Sequence, residues 1–409
     1  MSALSPHRLP GHRGSLAETF SGRANSFGLL RTVLAVAVVV SHLYPLGWGQ
    51  LEPLGAFSGG QTDLGKTAVV GFFVLSGFMI TGSGLRVTIG RFAWHRALRI
   101  LPGLWMSLAV SALLISPFLY HRLHGTVHGF WSRPDGPLHY LDGAWTTAMS
   151  NGWDVSGIFN EGMSRGTNFY PALNGALWSL PFEILCYVVI GLLAAGGVLR
   201  RARRFVPLLA LALWVVMLND AWQAANIRRI PLNVQSLVEL PLLGRQLIYF
   251  VIYLGFAYLL GACARLYQER LPINDSLAVL SALAMVAGMH WGGFFLIGYP
   301  AFAYLLFWLA VRLPAFCHKV ARKRDYSYGI YVYGFTVEQT MAMLGFARWG
   351  HLRFLAVALA VTWVLAALSW HLVESPLLRL KDWAPRLPRR RQPAPPALLP
   401  HPAPATTSA

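Results

Sequence analysis

An arginine and a histidine stand eleven residues apart in an otherwise apolar run, RTVLAVAVVVSH, from Arg31 to His42. Eleven residues is close to three helical turns, so in a helix both side chains project from one face, about 16 Å apart along the axis. Ionisable groups inside an apolar helix cost a few kcal/mol each and mark function by default. A neutral imidazole can take the proton of a hydroxyl, and such activity falls as pH drops through its pKa, about 6.5 when unperturbed. A carboxylate at the same depth would hold that imidazole in one tautomer. Two acids reach a comparable depth in the outer half: Glu183 in NGALWSLPFEILCY and Glu338 in DYSYGIYVYGFTVEQT. In RFAWHRALRILPGLW, Arg96 and Arg99 lie three apart at a helix start, so they share a face and can fork onto phosphate oxygens. Plainer readings stand beside each of these. Arg31 could snorkel, His42 could bond to a neighbouring helix, and the glutamates could pair with Arg348 or the backbone break at Pro181. Charge bias alone could place the paired arginines.

The elements that position these groups follow from composition. Of 409 residues only 12% are charged, against about 25% in soluble domains. Hydrophobic residues make up 55%, and mean hydropathy is +0.49. A soluble globular protein, a disordered chain and a coiled coil are excluded, and Cys186, Cys263 and Cys317 are too few for a disulfide scaffold. Apolar stretches long enough to cross a bilayer recur at 29–48, 64–84, 100–120, 176–197, 205–221, 245–263, 274–290, 293–312, 326–346 and 352–372. Runs such as LAVALAVTWVLAAL are continuously apolar, not alternating, so the spans are helices and not barrel strands. The expected fold is all-α and polytopic, with about ten transmembrane helices.

The net charge is +18. With the N-terminus inside, 24 Lys and Arg fall in inner segments and 9 in outer ones, with Arg31 in the first helix. This bias puts both termini in the cytoplasm and favours an even number of helices. The positive charge therefore meets anionic lipid, and no nucleic-acid partner is needed. A polar, basic stretch of 28 residues precedes the first span, too long for a typical signal n-region, so that span serves as an uncleaved anchor. Three regions result: a cytoplasmic segment 1–28, a membrane domain 29–380, and a basic, Pro/Ala-rich cytoplasmic tail 381–409 read as disordered. The longest loop, 121–175, faces outside and is expected to form a lid or short re-entrant piece.

Other features carry less. His121, His124 and His128 would share a helical face, but Gly125 and the loop context speak for a solvated segment, and no metal is expected. FFVLSGFMITGSG lacks the strand and GK[ST] of a phosphate loop, and its glycines suit close helix packing. A transporter or flippase of lipid-linked sugars would also use ten helices and a basic inner face. The absence of an inverted repeat and of a charge-lined midplane counts against it.

Taken together, the motifs resemble the membrane acyltransferase 3 family of bacterial O-acyltransferases. The Arg31-to-His42 spacing is similar to its first helix, GFFVLSGFMI (Gly71 to Ile80) to its second and Arg96 to Pro102 to its third. Trp178-Ser179-Leu180 through Glu183 resembles its fourth, and SYGIYVYGF (Ser327 to Phe335) and Val373-Glu374-Ser375-Pro376 its last two. Ser26-Phe27-Gly28 replaces the family's usual acidic start, and Gly334 stands where a histidine is frequent. The resemblance implies transfer of an acyl group, usually acetyl, from cytoplasmic acyl-CoA to a hydroxyl of a cell-surface sugar at the bacterial inner membrane, with no bound cofactor. It assigns Arg96 and Arg99 to the CoA phosphates, Arg31 to the pantetheine entrance, and His42 to the role of base or transient acyl carrier, oriented by Glu183.

Overall fold

The computed structural model describes residues 14–20, 24–149, 152–160, 171–228 and 236–383. It is 74% helical. All ten apolar segments form helices: α1 (Phe27–Trp48), α2 (Leu64–Gly84), α3 (Ile89–His124), α4 (Gly175–Ala195), α5 (Phe205–Gln223), α6 (Ile248–Leu266), α7 (Asp275–Trp291), α8 (Phe294–Arg312), α9 (Ser327–Met343) and α10 (His351–Asp382). Eight are long and apolar enough to span a membrane, while α7 and α9 have 17 residues each. Helices α3 and α10 outrun the expected spans because each continues through a π-helical turn, Ser111–Ile115 and Trp370–Glu374. Sheet among the described residues is confined to two short two-stranded pieces. The chain is therefore an all-α, multi-pass membrane protein.

Helix α2 is the central column, with 78% of its apolar window buried, whereas α5 buries 22% and faces outward. Its glycines do what the sequence suggested. A Cβ at Gly77 would run into the Tyr258 carbonyl of α6, and one at Gly261 into the Val74 carbonyl of α2, so the two helices touch backbone to backbone. Helices α1 and α2 run antiparallel, with Leu34 against Gly71 and Ser41 against Gly65. Helices α1 and α9 run parallel, with Ala35 clustered with Ile330, Val39 against Gly334, and Leu43 clustered with Val337 and Met341.

Two connecting segments pack against the bundle. Part of the N-terminal segment docks on the bundle: Gly14–Ser15 pairs with Pro272–Ile273, Ser15 and Glu18 form a capping box, and Leu16 is fully buried. The long connection after α3 begins at Gly125, and its end near 171–176 is packed within the bundle along α9. Backbone carbonyls that would be unpaired at membrane depth are met by α9 side chains. Gln339 Nε2 donates to Ala172 O (3.0 Å), Thr336 Oγ1 to Leu173 O (3.1 Å) and Tyr331 OH to Ala176 O (2.7 Å). In return Asn174 Nδ2 donates to Val332 O at 2.7 Å. Irregular backbone is tolerated there because protein surrounds it and satisfies it. Residues 161–170 and the basic tail from 384 lie outside the described residues.

Candidate active site

The cations of α1 and α3 meet the start of α9. Asp325, two residues before α9, pairs with Arg31 at 2.6 Å and with Arg99 at 2.9 Å. Its other oxygen accepts from the backbone N–H (3.2 Å) and hydroxyl (2.5 Å) of Ser327. Burial alone would raise the pKa of Asp325, but Arg31, Arg99 and the Ser327 bonds outweigh it and hold it at about 2. Arg99 also lies 3.8 Å from Glu374, which the π turn of α10 aims at it, and Ser369 Oγ donates to Glu374 at 3.2 Å. Arg31 and Arg99 are thus clamped by two acids. Arg96 has no carboxylate partner among the described residues, and its guanidinium lies 5.9 Å from the Tyr187 ring centroid.

Arg31, Arg96, Arg99 and Tyr187 line a cavity of about 380 Å³. Arg86, His95 and Lys381 stand at its mouth, on the side of the bundle where α2 and α10 end and α3 begins, and Arg31, Arg96 and Arg99 stand within. Its polar floor is built from hydroxyls. Tyr187 OH donates to Glu183 at 2.5 Å, Ser76 Oγ donates to the same carboxylate at 3.2 Å, and Ser179 and Tyr331 share a 2.5 Å bond. The arrangement can take a ligand with several negative charges at the rim and a slender, partly polar arm within.

Glu183 is therefore not where the sequence suggested. It was expected beside His42, yet its partners are Ser76 and Tyr187, at the depth of Arg31. The reason is the stretch 171–179, which is tied to α9 inside the bundle, so α4 begins at that depth and Glu183 lies deeper still. His42 lies farther out on α1. Its ring meets Phe335 edge-on at 5.0 Å, and its Nδ1 is buried with no hydrogen-bond partner among the described residues. Tyr331, in the cavity wall, is one turn below Phe335, so the cavity ends about one turn from the imidazole. Asp63, the N-cap of α2, is the ionised group whose field reaches His42. Glu338 is wholly buried, and neither carboxyl oxygen has a hydrogen-bond partner among the described residues.

The structure thus brings Arg31, Arg96, Arg99 and Glu183 to one cavity and leaves His42 just beyond its inner end. Asp325 and Tyr187 escaped the sequence reading. Asp325 is the lone acid after Arg322-Lys323-Arg324, a signal masked by the surrounding charge, and Tyr187 lies one turn from Glu183. Gly334 also finds its reason: a Cβ there would come within 2.6 Å of Val39 Cγ2, so no histidine fits unless the Val39 side chain gives way. His121 and His124 close α3, and among the described residues no group of three or more His, Cys, Asp or Glu could hold a metal.

The acyltransferase domain of the acyltransferase 3 family matches residues 25–370. Among curated relatives, an O-acetyl transferase of Shigella phage Sf6 is 26% identical over 363 residues, covering 87% of this chain and 96% of the relative. Nodulation protein 10 of Rhizobium leguminosarum bv. viciae is 28% identical over 393 residues, covering 90% and 97%. No solved structure matches. The matched region contains every helix from α1 to α9 and most of α10, and with them the arginine cavity and His42; the chain belongs to the acyltransferase 3 family and is a multi-pass membrane acyltransferase.

Proposed function

We propose that the protein transfers an acetyl group from cytoplasmic acetyl-CoA to a hydroxyl of a cell-surface polysaccharide or oligosaccharide, at the bacterial inner membrane with both termini inside. The observation that carries this reading is the cavity, which has a cationic rim at the end of the bundle nearest the C-terminal part of α10 and is lined deeper in by Ser76, Ser179, Tyr187 and Tyr331. The phosphates of CoA suit the rim. Arg96, which has no carboxylate partner among the described residues, is placed to bind them together with Arg86 and Lys381 at the rim, while Arg31 and Arg99 shape the wall under the restraint of Asp325. The pantetheine arm would run past Ser76, Glu183 and Tyr187 and bring the thioester toward His42. From the outer side the acceptor hydroxyl would approach the same imidazole, which acts as general base. The name of the phage relative, O-acetyl transferase, supports acetyl as the group and oxygen as its destination.

In the step itself the acceptor oxygen bonds to the thioester carbonyl carbon as its proton passes to His42. The carbon–sulfur bond then breaks, and the proton moves on to the departing thiolate. Membranes containing the protein should move radiolabelled acetyl from acetyl-CoA onto the surface polysaccharide fraction, and His42→Ala should abolish this at equal expression. Transfer at an unchanged rate in that variant would refute the mechanism. Analysis of the native glycan with and without the gene would identify the acceptor.

A further inference from the structure

Two buried polar groups, one on α1 and one on α9, lack a hydrogen-bond partner among the described residues. One is His42 Nδ1, and the other is the Glu338 carboxyl, whose two oxygens both lack a hydrogen-bond partner although the residue is 0% exposed. Leaving a buried polar group unpaired costs its full desolvation penalty. Two such groups facing one seam point to a shared purpose.

Their positions follow from the packing. On α9, Gly334 meets Val39 of α1 and Phe335 meets the His42 ring. At about 100° per residue, Glu338 projects into the sector between those two directions. The depths agree as well. His42 lies three residues beyond Val39, a rise of about 4.5 Å, and Glu338 lies four beyond Gly334, a rise of about 6 Å on a parallel helix. The competing acid is already engaged: Asp63 accepts from the Lys66 N–H at 2.6 Å and pairs with its ammonium at 2.8 Å. Glu183 is held by Tyr187 and Ser76 in the cavity below.

We propose that Glu338 positions His42 by accepting a hydrogen bond from its Nδ1–H across the α1–α9 seam, which leaves Nε2 as the nitrogen that faces the substrate. This rests on the acyl-transfer reading above, with His42 as base. Glu338 keeps its own protonation state throughout; its part is to fix the tautomer and the ring direction while Nε2 takes the hydroxyl proton and passes it to the leaving thiolate. It is a positioning residue and touches neither substrate.

The test compares Glu338→Leu and Glu338→Gln with the wild type, using labelled acetyl-CoA and the polysaccharide fraction, together with the thermal midpoint of the detergent-purified protein. Leucine removes the acceptor and also removes a buried, unpaired carboxyl. Glu338→Leu should therefore be at least as heat-stable as the wild type, yet lose about 100-fold in kcat with the KM for acetyl-CoA unchanged. Glutamine keeps an acceptor oxygen in place and should retain the rate within about fivefold. Wild-type transfer by Glu338→Leu would overturn the proposal, and so would a loss that tracks a lowered thermal midpoint in that variant. His42→Ala separates the two claims. If it still transfers acetyl, the acyl-transfer mechanism falls, and if it is inactive while Glu338→Leu is active, only the role of Glu338 falls.

Discussion

Replacing Asp325 with asparagine removes the one carboxylate that bridges Arg31 and Arg99. The structure sets the size of the effect. The carboxyl is held at about 2 against an ordinary 3.8, a difference of nearly two units, and at 1.36 kcal/mol per unit this corresponds to about 2.4 kcal/mol. Because its side chain is 17% exposed, little of this is screened by solvent. Removing one member of a buried ion pair costs about 3–5 kcal/mol in other proteins, so the expected loss at pH 7 is about 2–4 kcal/mol. The pH dependence has a definite sign. A folded-state pKa below the unfolded value gives stability that is fully present above about pH 4 and is lost as pH falls toward 2. Unfolding in mixed detergent and SDS micelles, followed by tryptophan fluorescence, should show the wild type and Asp325→Asn far apart at pH 7 and converging at low pH. Equal stability at pH 7, or a gap that does not change between pH 5 and 2, would refute the account of the clamp.

Two further substitutions probe the site and its packing. Arg96→Ala removes a cavity cation that has no carboxylate partner among the described residues; with a charged hydrogen bond contributing about 1.5–3 kcal/mol, the KM for acetyl-CoA should rise about 10- to 100-fold. A fall in kcat with KM unchanged would contradict the donor-binding role of that arginine. Gly334→His places a side chain against Val39 and should destabilise the protein by about 1–3 kcal/mol through overpacking. Val39→Ala in the same chain should recover much of this, and strict additivity of the two changes in thermal unfolding would count against the contact.

The sequence by itself determined the class of the protein and the identity of most chemical groups. Continuous apolar runs specify helices wherever the bilayer denies water to the backbone, and this held for all ten segments from 29–48 to 352–372, with shifts mainly at their ends. The face shared by Arg31 and His42 was equally legible, because helical geometry over eleven residues is a local property. The gathering of Arg96 and Arg99 at the start of α3 was legible for the same reason. What only the tertiary structure decided was the third dimension of the site. Depth was assigned to Glu183 by counting residues from the outer surface, and that count fails because 171–179 dips into the bundle, held by Tyr331, Thr336 and Gln339 from a helix some 160 residues away in the chain. The restraint of Arg31 and Arg99 by Asp325 is likewise a long-range pairing, and no local pattern in a cation-rich loop announces it. Helix formation depends on near neighbours and can be read along the chain, whereas the partner of a buried charge depends on which helices pack together, and that was settled only when α1, α3 and α9 met.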